Sequence, residues 1–298
     1  MHPRVLNQFL ALADNLHYGR ASVVANVSLS TLSRSIRQLE EELGIELFDR
    51  DNRSVSITAN GKIFEQYARD AVLRFNTMQH QLKQSSGPIK GELSLYCSVT
   101  ASHSILFDLL ERFRPNYPQV EIKLQTGAPE ESINRVVAGN EDICIAAHPS
   151  QLPRGVLYQP VSSSPLLFIA PMQHVDPDIP AGNKRRSIDW SKVPMIIAIS
   201  GLARTRIDAW FKAQRISPRI YAQVAGNEAI VSMVSLGLGV GVVPQIVLDN
   251  SPSASRVRVM QVKPALEPYK LGLFTMKKNM NNPLVKAFWE TGDGKMMQ

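Results

Sequence analysis

The sequence predicts an α/β protein with an all-α segment at its front, and three observations predict it. In residues 1–43 the apolar side chains recur at steps of three and four, the period of an amphipathic helix. Residues 59–86 contain no Pro and only Gly61, near their start, so they read as one long helix. From residue 91 onward short β-rich runs alternate with helical stretches, the signature of layered α/β architecture. Composition agrees: 298 residues, 44% hydrophobic and 20% charged, suit a globular chain of about two domains.

Several classes are set aside at this level. No apolar stretch is long enough to span a bilayer. The N-terminus, MHPRVLNQFLALADNLHYGR, is broken by polar residues and has no small-residue cleavage site, so we expect a cytoplasmic protein rather than an exported one. Cys97 and Cys144 are the two cysteines and form no C-x-x-C pair, which fits free thiols in a reducing compartment. The six histidines, at 2, 17, 80, 103, 148 and 174, have no ligand spacing, so no metal and no cofactor is expected. The net charge of +7 permits an anionic partner, but the basic residues are spread along the chain and do not locate one.

The elements follow in order. Val5, Phe9, Leu12 and Leu16 form the stripe of a first helix, and ASVVAN, 21–26, a short second one. In SLSTLSRSIRQLEEELGIELFDR, 28–50, Leu29, Leu32, Ile36, Leu39 and Leu43 mark the buried side of a third helix with Ser28 as N-cap. Ser30, Arg34, Arg37 and Glu41 then share the opposite face, flanked by Ser33 and Gln38. Two β-like runs, 45–48 and 54–58, enclose Asp49-Arg50-Asp51-Asn52-Arg53, a turn-forming and partly basic tip, and read as a wing. Phe64, Ala68, Ala71, Phe75, Met78 and Leu82 step by three and four along the long helix, a seam that suits a partner helix or its own domain. SSGPIKG, 85–91, reads as a hinge.

Long helix, short helix, tight turn and amphipathic helix make a helix-turn-helix, whose second helix enters the major groove N-terminus first. Double-stranded DNA is therefore the expected partner. Arg34 and Arg37 are the candidates for base edges or phosphates, Ser30, Thr31 and Ser33 for the backbone, and Arg50 or Arg53 for backbone or minor groove at the wing; Arg20 completes the set. Each arginine alone is as readily a solvated surface charge. Their common facing favours DNA.

The run LHYGRASVVANVSLSTLSRSIRQLEEELGIELFDRDNRSVSITANG resembles the N-terminal signature of LysR-type transcriptional regulators. That resemblance implies three parts: a winged helix-turn-helix over about 1–58, a dimerising linker helix and hinge over 59–90, and an effector domain over 91–298 similar to the type 2 periplasmic binding proteins. It divides the effector domain into subdomain I, about 91–161 and 267–298, and subdomain II, about 162–266. The phrases LFDRDNRSVSIT, GELSLYCSVTAS, VEIKLQTG, IDAWFK, NEAIVSMVSLGLGV and KAFWE are similar to one branch, which activates the acetohydroxy acid isomeroreductase gene of valine and isoleucine synthesis. Acetolactate or acetohydroxybutyrate is then the implied inducer, with a homodimer or homotetramer and RNA polymerase as implied partners. A regulator of the same type with a different small acid and regulon is the alternative.

Read from its residues, the part after 91 places strands at ELSLYC, VEIKLQ, DICIAA, PLLFIAP, PMIIAI, GVGVV and YKLGLFTM. Helices fall near 101–114, 129–139, 204–215, 227–237 and 283–290. Two largely parallel sheets are expected, with ligand outside their C-terminal strand edges. Three edges carry suitable groups: Ser98, Val99 and Thr100 after the first strand, Thr126 and Gly127 after the second, and Ser200 and Gly201 after 194–199. Their hydroxyls and helix N–H groups suit a carboxylate, and the resemblance places the effector between the subdomains at such residues. For each Ser or Thr the plain reading is a helix cap. Arg204 reads equally as an acid clamp or a surface arginine. Leu106-Phe107 stands where relatives have a Leu-Pro step, which leaves that helix start open.

Other motifs are weaker. Gly237, Gly239 and Gly241 follow a helix and enter a strand, the reverse of a dinucleotide loop. Ser98 and His103 lack the sharp strand–helix elbow of a nucleophile. A solute-binding protein would need export, and an α/β enzyme a compact catalytic constellation; neither is found, so we expect a transcription regulator, not an enzyme.

Overall fold

The computed structural model describes residues 2–51, 54–83, 89–173, 178–179 and 188–292. Of the positions singled out in the sequence, Arg53, most of the hinge at 85–91 and the side chains of Arg50 and Leu82 lie outside the described residues. The chain divides into two compact units, one built on Met1–Ile89 and the other on the α/β part that begins at Lys90.

In the first unit α1 (Pro3–Asn15), α2 (Tyr18–Val24) and α3 (Leu29–Leu43) precede a two-stranded wing, β1 (Phe48–Asp51) with antiparallel β2 (Ser54–Ile57), and then α4 (Ala59–Lys83). The first wing strand starts at Phe48, three residues later than the expected run at 45–48. Leu47 and Phe48 are drawn into the core by their own burial, and their backbone N–H groups bond the Glu40 carboxylate at 2.9 and 3.1 Å. The core gathers Leu6, Phe9, Leu12, Leu32, Ile36, Leu39, Leu47, Phe48, Phe64 and Ala68. Phe9 stacks edge-on against Phe64 at 4.8 Å and tilts against Phe48 at 5.2 Å, so one ring joins α1, α4 and the wing. Gly61 lets α4 start close to the wing: a Cβ there would lie 2.2 Å from the Leu47 carbonyl oxygen.

Two positions of the expected stripes face outward. Leu16 ends α1 in a left-handed conformation, φ 45°, and Leu29 opens α3; both are exposed. At helix ends the side chain lies past the reach of the core, although the 3.6-residue period points it inward. The α4 seam divides likewise. Phe64 and Ala68 pack on α1, where Arg69 also pairs with Asp14, whereas Met78 is exposed.

In the second unit the strands form two five-stranded sheets. The first has the order β4 (Val120–Thr126), β3 (Gly91–Cys97), β5 (Ile143–Ala147), β12 (Tyr269–Met276), β6 (Val156–Ser164). The second has the order β11 (Val257–Met260), β7 (Leu166–Pro171), β10 (Val240–Pro244), β8 (Pro194–Ala198), β9 (Arg219–Val224). Both are mixed rather than largely parallel: β3, β4 and β5 run parallel, as do β8, β9 and β10, while β12 and β7 are antiparallel to their neighbours. Strands joined by crossover helices share a direction. The strand that returns from the other sheet, β12, enters against it.

Helices α5 (Val99–His103), α6 (Ile105–Phe113), α7 (Ser132–Ala138) and α11 (Pro283–Thr291) belong with the first sheet, and α8 (Gly201–Ala213), α9 (Asn227–Ser235) and α10 (Gln245–Asp249) with the second. The expected helix near 101–114 is thus two helices, broken at Ser104. The chain passes between sheets at Pro165 and again between β11 and β12. The second passage is held by Trp210, whose Nε1 donates to the Pro264 carbonyl at 2.7 Å, and by Arg206, which donates to the Glu267 carbonyl at 2.7 Å.

Candidate DNA-reading helix and effector cleft

On the first unit, α3 presents two chemically distinct faces. Ser28 caps it, its Oγ accepting from the Thr31 N–H at 3.2 Å, and Gly44 closes it at φ 68°, a left-handed turn that favours glycine. Leu32, Ile36 and Leu39 are buried, while Arg34 and Arg37 are exposed. Among the described residues neither guanidinium has a hydrogen bond or ion pair, so both are available to an outside acceptor. Ser30 and Thr31 are exposed, and their hydroxyls bond the Ser28 hydroxyl at 3.0 and 2.7 Å; Ser33 is half-buried. Arg20, exposed on α2, reaches the Asn15 carbonyl at 3.4 Å. Leu29, at the leading end of the helix, is 55% exposed. The acids at the trailing end are not equivalent: Glu40 is tied to the wing, and Glu41 and Glu42 face solvent.

In the second unit a cavity of about 330 Å³ lies between the two sheets' strand ends. Pro129, Glu130, Ile133, Ala146, Ala147 and Tyr269 line it from the first sheet's side, and residues 198–203, Thr205 and 224–227 from the second's. A smaller chamber of about 50 Å³, lined by Ser98, Thr100, Ile105, Leu271 and others, shares Pro129, Ala146, Ala147, Asn227 and Tyr269 with it.

Two helices start at the larger cavity: α8 at Gly201 and α9 at Asn227. Neither has a side-chain cap, so their first-turn N–H groups and dipoles are open to an anion. Ser200 does not cap α8; its hydroxyl donates to Glu130 at 2.8 Å. Gly201 holds φ 88°, which places the helix start at the cavity. One N–H of α8 is already used, since the Tyr269 hydroxyl oxygen accepts from Ala203. Burial nonetheless pushes that phenol above its usual range and keeps it neutral. At the smaller chamber Ser98 caps α5, accepting from the Ala101 N–H at 3.2 Å, and buried Thr100 donates to Glu228.

The sequence-predicted effector residues therefore separate. Ser98, Thr100, Ser200 and Gly201 line the cavities. Val99 points to solvent at the surface of α5 and lines neither. Thr126 and Gly127 line neither: Gly127 donates its N–H to the Cys97 carbonyl at 3.1 Å and packs against Tyr96, whose hydroxyl a Cβ would meet at 2.3 Å. Arg204 is turned away, pairing with Asp208 at 2.7 Å and donating to Gln223 and the Ala198 carbonyl at 2.7 and 3.2 Å. Glu130, Thr205, Asn227 and Tyr269 also line the cavities and were missed, as was Glu228 beside them, the partner of Thr100. Asn227 and Glu228 follow β9, a strand absent from the sequence reading, and so their strand edge went unseen.

Comparison with known proteins follows this division. Residues 3–62 match the model of the bacterial regulatory helix-turn-helix proteins of the lysR family, and residues 86–293 match the LysR substrate binding domain. The chain is 42% identical over 299 residues to the HTH-type transcriptional activator IlvY of Salmonella typhimurium, covering 97% of this chain and 99% of that one. It is equally 42% identical to the HTH-type transcriptional regulator IlvY of Escherichia coli K12, over 97% and 98% of the two chains. Among solved structures, a full-length OxyR variant from Pseudomonas aeruginosa shares the fold at TM-score 0.69 and 20% identity over 98% and 94% of the chains. CbnR in complex with its target DNA does so at 0.63 and 19%, over 98% of each. With an amphipathic helix that exposes Arg34 and Arg37 on one unit, a cleft of about 330 Å³ in the other and both family models matched along its length, this chain belongs to the LysR family of bacterial transcription regulators.

Proposed function

We propose that the protein activates branched-chain amino acid biosynthesis genes in response to acetolactate or acetohydroxybutyrate. Relatives named IlvY support the activator reading. The observation that carries the effector reading is the pair of uncapped helix starts, α8 and α9, on one cavity of about 330 Å³. An effector's carboxylate is received there by N–H groups and by the Ser200 hydroxyl, while Ile133, Ala146, Ala147, Ile199 and Val224 take its methyl groups. Ser98 and Thr100 border the inner chamber.

On DNA, Arg34 and Arg37 meet base edges or phosphates and Ser30, Thr31 and Ser33 lie near the backbone, with Arg20, Arg50 and Arg53 at the margins. The protein works as a homodimer or homotetramer in the cytoplasm: a dimer supplies two reading helices for two half-sites, and the exposed Ile63, Tyr67 and Met78 on α4 suit a partner helix. Effector binding shifts the closure between the two sheets, hence the geometry of the DNA-bound assembly and its contact with RNA polymerase. Thermal unfolding of the purified protein with acetolactate, acetohydroxybutyrate and unrelated small acids tests this. A stabilisation confined to the first two supports it, and one confined to another small acid shows a different regulon.

A further inference from the structure

The effector cleft is short of positive charge. Among the described residues no Lys, Arg or His lines either chamber. Arg206, near Tyr269, sits over that ring at 5.2 Å and is committed to Glu267. Two carboxylates stand there instead, one from each side: Glu130 lines the larger chamber, and Glu228 lies exposed beside Thr100 and Gly226, which line the two chambers. Glu130 follows β4 of the first sheet and accepts from Ser200 of the second at 2.8 Å. Glu228, in the first turn of α9, accepts from Thr100 of the first sheet's side. Each holds a hydroxyl that an incoming carboxylate would use.

Resting on the effector reading above, we propose that Glu130 and Glu228 select the effector by charge: the cleft takes small monocarboxylates and rejects dicarboxylates. One carboxylate has the first-turn N–H groups of α8 and α9 to receive it and displaces a glutamate from its hydroxyl. A second has no cation to meet among the described residues, and lies beside a carboxylate in a cavity of limited volume. Like charges at such range disfavour one another, although both glutamates keep contact with solvent, which screens part of the repulsion. Specificity here comes from repulsion of the wrong ligand more than from attraction of the right one.

The test is calorimetric titration of the full-length protein with small 2-hydroxy monocarboxylates, acetolactate among them, and with 2-hydroxy-2-methylsuccinate as the dicarboxylate. The wild type is expected to bind at least one monocarboxylate about tenfold or more tightly than the dicarboxylate. The double variant Glu130→Gln, Glu228→Gln keeps an acceptor for Ser200 and Thr100 but removes both charges. In it the ratio should narrow to within about threefold, through tighter dicarboxylate binding. If the double variant does not fold, the single variants are each expected to narrow the ratio in part. Equal binding of both classes by the wild type, or an unchanged ratio in folded variants, overturns the charge rule and leaves the effector site standing. Absence of any monocarboxylate binding to the wild type overturns both.

Discussion

Arg34→Ala tests the proposed DNA-reading role of α3 apart from its folding. Arg34 is exposed and makes no hydrogen bond or ion pair among the described residues, and alanine is as good a helix former, so the fold should lose no more than about 0.5 kcal/mol. The loss on DNA is larger. A bidentate arginine–guanine pair discriminates by about 1–3 kcal/mol, roughly five- to 150-fold in affinity per half-site, and twice that free energy when both helices of a dimer carry the change. The assay is fluorescence anisotropy on the regulatory DNA at several fixed salt concentrations, with thermal unfolding of the same preparations. A contact to phosphate instead weakens all sequences alike and lowers the salt slope by about one per contact. Leu32→Ala is the contrasting control: it empties a fully buried position, so it should cost about 2–5 kcal/mol of stability. Unchanged affinity for Arg34→Ala at every salt concentration would refute the placement of this face in a groove.

Three further outcomes follow from the structure. Glu40→Ala removes a carboxylate that accepts two backbone N–H groups of the wing, so the first unit should lose about 1.5–3 kcal/mol in denaturant unfolding; a loss near zero shows that the wing is not anchored there. Burial pushes the Cys97 thiol up to about 12, so at pH 8 only about one thiolate in ten thousand forms, and iodoacetamide should label it in denaturant but not in the native protein. Asp142 keeps some surface, but packing around its carboxyl raises its pKa, against the Ser94 N–H and hydroxyl that lower it. A carboxyl raised on folding adds stability below its unfolded value, near 3.9, that is lost as pH rises through the folded value. The difference in unfolding temperature between Asp142→Asn and wild type should therefore move in the variant's favour from pH 4 upward, and movement the other way contradicts the shift.

The elements that could be read in the sequence are those whose burial repeats at a fixed period. Leu32, Ile36 and Leu39 mark α3, and the apolar runs at 93–97, 143–147 and 194–198 mark strands buried on both faces. The strands that went unseen, β6, β9 and β11, are all sheet edges. Edge strands have one neighbour and carry fewer buried side chains, so their sequences lack the apolar signal: β6 contains Pro160 and the serines 162–164, and β9 is largely exposed. Leu16 and Leu29 show the same limit from the other side. Period alone assigns an angle around the helix axis, but burial also needs a partner at that height along it.

The candidate effector site was legible only as far as strand edges could be placed. Ser98, Thr100, Ser200 and Gly201 follow strands that were identified, and they line the cavities. Thr126 and Gly127 follow an identified strand too, but β4 lies at the sheet's edge, where its C-terminal end is spent on Cys97 and Tyr96 instead of on the cleft. Arg204, which the sequence left open between an acid clamp and a surface arginine, is answered by Asp208, one helical turn along α8. The glutamates at the cleft could not be found by searching for groups that attract an anion. They become intelligible once ligand choice is treated as a difference between two binding free energies, because a charge that weakens every anion weakens a dianion more. On the charge rule proposed above, a site built from helix starts, hydroxyls and opposing carboxylates separates small acids by charge, through repulsion of the wrong ligand.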